Sequence, residues 1–521
     1  MNEENGSTTV QSLPISISER LGHLQFHKSG KFRVLQIADI QEGPKVSKDT
    51  ITLLASACDT VHPDIVIFTG NQIAGYDSGF AATYRSRRWD TPQDGVYAAG
   101  QTKVVQGHVS PETSAEDLHQ RLVDMITTQA QQFLQPLIDR GIPFAITYGN
   151  HDFQCGLDTP ELDDIYRQFP GCLNPTLNQN KDRTVPMSVP ISGMPQQLAY
   201  ACEPGTFALP VMSENGSEVL VGLVLVNSGD YDPQGGYGAP SKCALTWLKT
   251  VSDQIGSKSL VFQHFPMPQM YQLMRSVTPT TAYAIQGYRT FDHEHYVLDP
   301  EKTQPGGYLG EGISCPDHDT GEFDILANSG GYIGLFAGHD HRNAYVGLYD
   351  GLILGSTPTS GFGSYGPPAS QRAVRYFEFD QRHPSQPRTT LLEFGTIAGV
   401  ASSRSVYTFA MSQVPPTSRS TTMQEKENTN LSPLDQTIEV KASGSQTDTT
   451  PSTQNGRLAT PRRIGRKQKY AVPPSGSAIG EVPSHQGLLR EVVVALSEVS
   501  KALHQHKKNR LHRINTEKRH N

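Results

Sequence analysis

Apolar positions along the first 150 residues alternate between two spacings. Arg33-Val-Leu-Gln-Ile-Ala38 and Ile65-Val-Ile-Phe68 are short apolar runs and read as strands. The second follows Pro63-Asp64 and has no polar position, the look of a strand buried on both faces. Between them, Ser47 to Cys58 repeats apolar residues at helical steps, and Glu116 to Arg140 does so again until Gly141 stops it. Pro143 to Thr147 is the next strand. Successive strand-helix-strand units predict an α/β fold with right-handed crossovers.

Further on, Val219 to Asn227 and Leu260 to Gln263 read as strands, with a helix from about Ser241 to Ile255 between them. Residues 170–216 are rich in Pro, Asn and Gly and read as loops and edge hairpins. Residues 266–330 show little periodicity and read as a long insertion. Tyr332 to Ala337, Ala344 to Tyr349, Leu352 to Leu354, Val374 to Phe379 and Thr389 to Phe394 read as an antiparallel set. Strand-helix alternation first and clustered strands last suggest two sheets packed face to face with outer helices.

The pattern fails after about Thr396. Residues 411–486 are rich in Ser, Thr, Pro and Gln around a basic patch, Arg462-Arg463-Ile-Gly-Arg466-Lys467-Gln-Lys469, and cannot bury enough apolar surface to offset chain ordering. An overall hydrophobic content of 36% agrees with an unfolded portion. One amphipathic island follows: Leu489, Val492, Val493, Leu496, Val499 and Leu503 recur at steps of three and four ahead of the basic run Lys507 to Arg519. The expected organisation is an N-terminal segment (1–29), a folded domain (30–396), a low-complexity linker (397–487), and an amphipathic helix with a basic tail (488–521).

Charge follows the same division. Residues 401–521 carry 18 Lys and Arg against 9 Asp and Glu, so of the totals of 44 and 51 the first 400 residues hold 26 against 42. An acidic body is joined to a basic tail. Such a tail is either simply solvated or makes weak contacts with anions, nucleic acid or acidic membrane surface; the 488–504 helix offers a face to a partner. The six cysteines are widely spaced with no CxxC pair and read as scattered reduced thiols. No basic segment followed by an apolar run opens the chain, and no stretch approaches ~20 apolar residues, so a cytoplasmic location is expected.

Five segments place polar, metal-ligating side chains directly after apolar runs. They are Asp39-Ile-Gln41, Gly70-Asn71-Gln72, Gly149-Asn150-His151-Asp152, Gln263-His264-Phe265-Pro266 and Gly338-His339-Asp340-His341. In open α/β sheets the carboxyl ends of strands converge on one crevice. His, Asp and Asn from five such ends can surround two divalent cations.

These segments, in this order, resemble the calcineurin-like metallophosphoesterase superfamily, and the text around Asp39, Asn227-Ser-Gly-Asp-Tyr231 and Phe336 to His341 is most similar to its small purple-acid-phosphatase-like branch. The resemblance covers roughly residues 30–395 and none of the tail. It implies a four-layer α/β/β/α sandwich of two mixed sheets, two divalent ions (Mn, Fe, Zn or Mg) and hydrolysis of a phosphate-ester substrate by metal-activated water. It further implies that Asp39 and His341 hold the first metal, and Asn150, His264 and His339 the second. His151 would protonate the leaving oxygen, with Asp152 orienting its ring. The tyrosine ligand of purple acid phosphatases should fall at Ala74, so no ferric-tyrosinate centre is expected.

Two positions depart from the family pattern. Gln41 stands where a ligand His is usual, and its carbonyl oxygen is a harder, weaker donor. Asn71 stands where a bridging Asp is usual; it offers one neutral oxygen and an NH₂ that turns positive hydrogens toward a cation. Two readings are open: a phosphoesterase weakened at Asn71, or a catalytically impaired relative that acts as a binding or scaffold protein.

Overall fold

The computed structural model describes residues 16–88, 114–177, 186–189 and 193–402. Two mixed sheets carry the fold. The five-stranded sheet runs in the order Arg388–Glu393, Ala373–Asp380, Lys31–Ile37, Ile65–Thr69, Phe144–Thr147. Its last three strands are parallel, and the first two are antiparallel to their neighbours. The eight-stranded sheet runs Tyr345–Tyr349, Leu352–Ser356, Tyr332–Ala337, Ser259–Gln263, Val219–Val226, Thr206–Met212, Leu198–Glu203, Met187–Ser188. The strands beginning at Leu352, Tyr332, Ser259 and Val219 are parallel; the others pair antiparallel.

Side-chain alternation explains the layers. In Lys31–Ile37, Phe32 and Val34 face the second sheet, while Leu35 and Ile37 face helices. The unbroken run Ile65–Thr69 does the same: Ile65 and Ile67 pack between the sheets, Val66 and Phe68 against helices. Leu53, Leu54, Phe133 and Leu134 of helices Lys48–Val61 and Ala115–Ile138 cover one outer face. Trp247, Leu248 and Val251 of helix Lys242–Ile255 cover the other. The result is the four-layer α/β/β/α sandwich implied by the resemblance. Each fully buried aliphatic or aromatic side chain contributes about 1.5–3 kcal/mol, so these three clusters dominate stability.

The structure corrects several readings. The set after Tyr332 is not one antiparallel group. Tyr332–Ala337 and Leu352–Ser356 are parallel to each other, and Ala373–Asp380 and Arg388–Glu393 belong to the other sheet. The 266–330 insertion has its own small sheet, Ile285–Gln286, His295–Leu298 and Met274–Val277, and a helix, Glu322–Ser329. Its weak periodicity reflects packing by isolated residues: Met270, Tyr271, Tyr296, Leu309 and Ile313 are buried under the eight-stranded sheet. Leu24 and Phe26, ahead of residue 30, also lie in the core between the two sheets. The expected edge hairpin is Leu198–Glu203 with Thr206–Met212. The 397–487 linker (from residue 403), the 488–504 helix and the basic tail lie outside the described residues. No helix among the described residues is long and apolar enough to cross a membrane.

Candidate metal centre

All five ligand-bearing segments follow parallel strands at their carboxyl ends: Lys31–Ile37, Ile65–Thr69 and Phe144–Thr147 in one sheet, Ser259–Gln263 and Tyr332–Ala337 in the other. The site therefore bridges the two sheets at one end of the sandwich. The chain must turn sharply to aim side chains there. Asp39, Gln41, Asn71 and His339 all sit at positive φ, between 41° and 68°. Each such residue costs on the order of 1–3 kcal/mol, a strain that proteins retain where function needs it. Close approach adds a second constraint: a methyl group on Gly149 would collide with Asn71 Oδ1 and the His264 ring.

His264 is the hub. Its Nδ1 donates to the Thr69 carbonyl at 2.9 Å, which leaves Nε2 with a lone pair in the neutral ring. Burial pushes the His264 pKa down and holds the ring neutral. Nε2 lies 3.2 Å from Asn150 Oδ1 and 3.2 Å from His339 Nδ1. The Asn150 orientation is set on its far side, where Nδ2 donates to Tyr231 OH at 2.9 Å. A proton on His339 Nδ1 would satisfy one of these contacts. It would leave the Asn150 oxygen facing the same bare nitrogen, and His339 Nε2 buried with no partner. Burial, then the neighbouring rings, holds His339 well below the usual histidine range. Apart from a long contact of Asn71 Nδ2 to the Asn150 oxygen at 3.4 Å, the two rings cannot supply protons for all the lone pairs that converge here, so a divalent cation fits this donor set.

Asp39 and His341 form the neighbouring pair, with Asp39 Oδ1 3.4 Å from His341 Nε2. His341 Nδ1 donates to the Tyr365 carbonyl at 2.7 Å, and the Tyr365 ring stacks on the imidazole at 4.2 Å. Burial opposes the Asp39 charge. The His264 and His341 rings and the His339 N–H outweigh it, and the carboxyl titrates below its ordinary value. Gln41 is tied differently. Its Nε2 donates to Tyr76 OH at 2.8 Å, and its Oε1 is buried without a hydrogen-bond partner.

No family model matches the chain. Among curated proteins it is similar to "Probable inactive purple acid phosphatase 14" of Arabidopsis thaliana, at 22% identity over 381 residues, 68% of this chain and 77% of the relative. It is likewise similar to "Phosphatase DCR2" of Saccharomyces cerevisiae, at 22% identity over 354 residues, 62% of this chain and 46% of the relative. Among solved structures, a dimetal phosphatase from Danio rerio aligns over 67% of this chain and 95% of its own at 13% identity, with a TM-score of 0.33. These similarities support the resemblance to the calcineurin-like metallophosphoesterase superfamily that the sequence carries.

Against that superfamily's pattern, Asn71 is where this metallophosphoesterase-fold site differs most. Asn71 Oδ1 accepts the His151 backbone N–H at 2.9 Å, an obligate donor that fixes which end of the amide is oxygen. Nδ2 therefore turns inward and donates to Asp39 Oδ1 at 3.1 Å and to Asn150 Oδ1 at 3.4 Å. An NH₂ group thus ties together one donor from each proposed metal position.

Asp152 does not orient His151, contrary to expectation. Its carboxylate accepts the backbone N–H groups of Asn71 (2.7 Å), Gly149 (2.8 Å) and Ile73 (2.9 Å), tying two ligand loops together. Gln154 takes the orienting place, accepting from His151 Nδ1 at 2.7 Å. Burial pushes the His151 pKa down to about 4. A short one-turn helix, Asp152–Cys155, brings Gln154 back under the ring, a contact that spacing alone does not reveal.

Tyrosines line the cluster and were missed in the sequence. Tyr237 meets the His339 ring edge-on at 4.4 Å, Tyr76 meets His151 at 4.8 Å, and Tyr231 holds Asn150. The signal was present for two of them, because the loop carrying Tyr231 and Tyr237 follows the parallel strand Val219–Val226. In the 266–330 insertion, Arg289 pairs with Asp317 at 2.6 Å, and His293 is exposed.

Proposed function

We propose that this chain binds phosphate esters at the strand-end cluster and hydrolyses them with the help of a divalent cation held by Asn150, His264 and His339. Asp39, His341 and Gln41 form a second, weaker cation position. The observation that carries this reading is the convergence of His264 Nε2, His339 Nδ1 and Asn150 Oδ1 at 3.2 Å separations. A bound cation there supplies positive charge to phosphoryl oxygens and lowers the pKa of a coordinated water. Thr69 and Tyr231 fix the donor atoms of His264 and Asn150 so that little reorganises when the cation arrives. His151, held through its Nδ1–H by Gln154, presents an Nε2 lone pair that can accept a proton from a water, and it can donate to a phosphoryl or leaving oxygen only once it has taken one.

A second reading, ligand binding without turnover, is favoured by one contact. Asn71 Nδ2 donates to the only carboxylate of the proposed metal shell, Asp39, at 3.1 Å, and so competes with a cation for it. The similar proteins carry both kinds of name, "inactive" and "Phosphatase". Turnover of an aryl phosphate by metal-stripped protein reloaded with Mn²⁺ separates the readings. Activity in the parent that is lost with chelator and in His339→Ala supports hydrolysis. A silent parent beside an active Asn71→Asp variant supports binding alone. Silence in both removes the catalytic reading.

A further inference from the structure

On the helix-covered face of the eight-stranded sheet, the strand Leu198–Glu203 and the helix Lys242–Ile255 bring two thiols and a carboxylate together. Cys202 Sγ and Cys243 Sγ lie 3.7 Å apart, and with a Glu203 oxygen the three donor atoms all fall within 4.8 Å of one another. Among the described residues this is the one such group of three His, Cys, Asp or Glu side chains.

Neighbouring strand residues normally point to opposite faces. Here the pairing with Thr206–Met212 shifts register between Ala201 and Glu203, an irregularity that frees Cys202 and Glu203 from strict alternation. Cys243 comes from the first turn of the helix. The helix cap Ser241 donates its hydroxyl to the Glu203 carboxylate, 2.9 Å from each oxygen, and so holds that carboxylate beside the first turn. Cys202 is buried, whereas Glu203 and Cys243 are half-buried, so the group can be reached from solvent.

We propose that Cys202, Glu203 and Cys243 bind a thiophilic divalent cation of the Zn²⁺ class, with water as the fourth ligand. Two sulfurs ~2.3 Å from a tetrahedral zinc stand ~3.8 Å apart, and the observed separation is 3.7 Å. That separation alone also suits two thiols in van der Waals contact; the carboxylate converging on the same pair is what points to a cation. Binding releases the two thiol protons to solvent and leaves two thiolates and one carboxylate around the ion. The site is independent of the proposed function, since it shares no residue with the strand-end cluster.

Co²⁺ titration of reduced, metal-stripped, full-length protein tests this. The strand-end cluster contains no cysteine, so cobalt bound there gives no thiolate-to-cobalt charge-transfer band. The expected result is an intense near-ultraviolet band that is lost in Cys243→Ser and retained in His339→Ala. Glu203→Gln should weaken cobalt binding by about tenfold or more. Cys243 is half-buried, so its serine variant keeps the test meaningful if Cys202→Ser fails to fold. Absence of the band in the parent, or its survival in Cys243→Ser, overturns the proposal. So does a Cys202–Cys243 disulfide, seen as two thiols that disappear without metal and return with reductant.

Discussion

Asn71→Asp exchanges a donor for an anionic oxygen where the surroundings fix the outcome. Asn71 Oδ1 stays bound to the His151 N–H, so the new oxygen takes the place of Nδ2, 3.1 Å from Asp39 Oδ1 and 3.4 Å from Asn150 Oδ1. Two unit charges 3.1 Å apart repel by ~1 kcal/mol at a dielectric of 80 and ~5 kcal/mol at an effective value of 20. Both residues are buried, so the larger figure applies. Losing the donated hydrogen bonds adds about 1 kcal/mol. In chelator the variant should be less stable than the parent by ~3–6 kcal/mol near neutral pH. Acid should restore much of this, because one proton shared by the two carboxylates removes the repulsion. With a divalent cation the sign reverses: the new oxygen faces positive charge, and each tenfold gain in affinity adds about 1.4 kcal/mol of ligand-linked stability. Urea unfolding of both proteins, in chelator and in excess Mn²⁺, reads both effects. A variant within ~0.5 kcal/mol of the parent in chelator, or equal stabilisation of both proteins by Mn²⁺, would refute the reasoning.

Three further outcomes follow from other contacts. Glu322 is buried, and burial pushes its pKa from 4.5 up to about 7 against the opposing Gln263 amide. The folded chain then holds the proton more tightly than the unfolded chain. Its contribution is fullest below about pH 4.5 and is lost as pH rises through about 7, by at most ~3 kcal/mol; Glu322→Gln should flatten that slope in urea unfolding from pH 4 to 8. Arg372 is fully buried and donates to the carbonyls of Gly361, Ser364, Tyr365 and Pro367, so Arg372→Met should cost at least ~3 kcal/mol by chemical denaturation. Gln154→Leu removes the acceptor on His151 Nδ1. It should lower any Mn²⁺-dependent aryl phosphate turnover about ten- to a hundredfold, while the bound-metal stoichiometry measured on the same preparation stays unchanged.

The sequence by itself determined where most strands of the two-sheet core lie, outside residues 170–216, and which residues sit at the carboxyl ends of the parallel ones. Period and placement are local properties: an unbroken run such as Ile65–Thr69 has to be covered on both faces, and a ligand side chain directly after it has to emerge at the strand end. That Asp39, Asn71, Asn150, His264, His339 and His341 stand together at the strand ends was legible on those grounds, and so was the question raised by an amide at residue 71. Which sheet a late strand joins was not legible, since Ala373–Asp380 returns to Lys31–Ile37 across more than 300 residues. Tertiary structure alone decided the second tier of contacts. It gave Asp152 to three backbone N–H groups and His151 to Gln154, it placed Tyr365 on His341, and it drew Cys202 and Cys243 together across 41 positions. The physical reason is that strand formation follows from the apolar pattern of a few consecutive residues. A hydrogen bond or a donor cluster depends on where separate loops meet, and no local pattern encodes that.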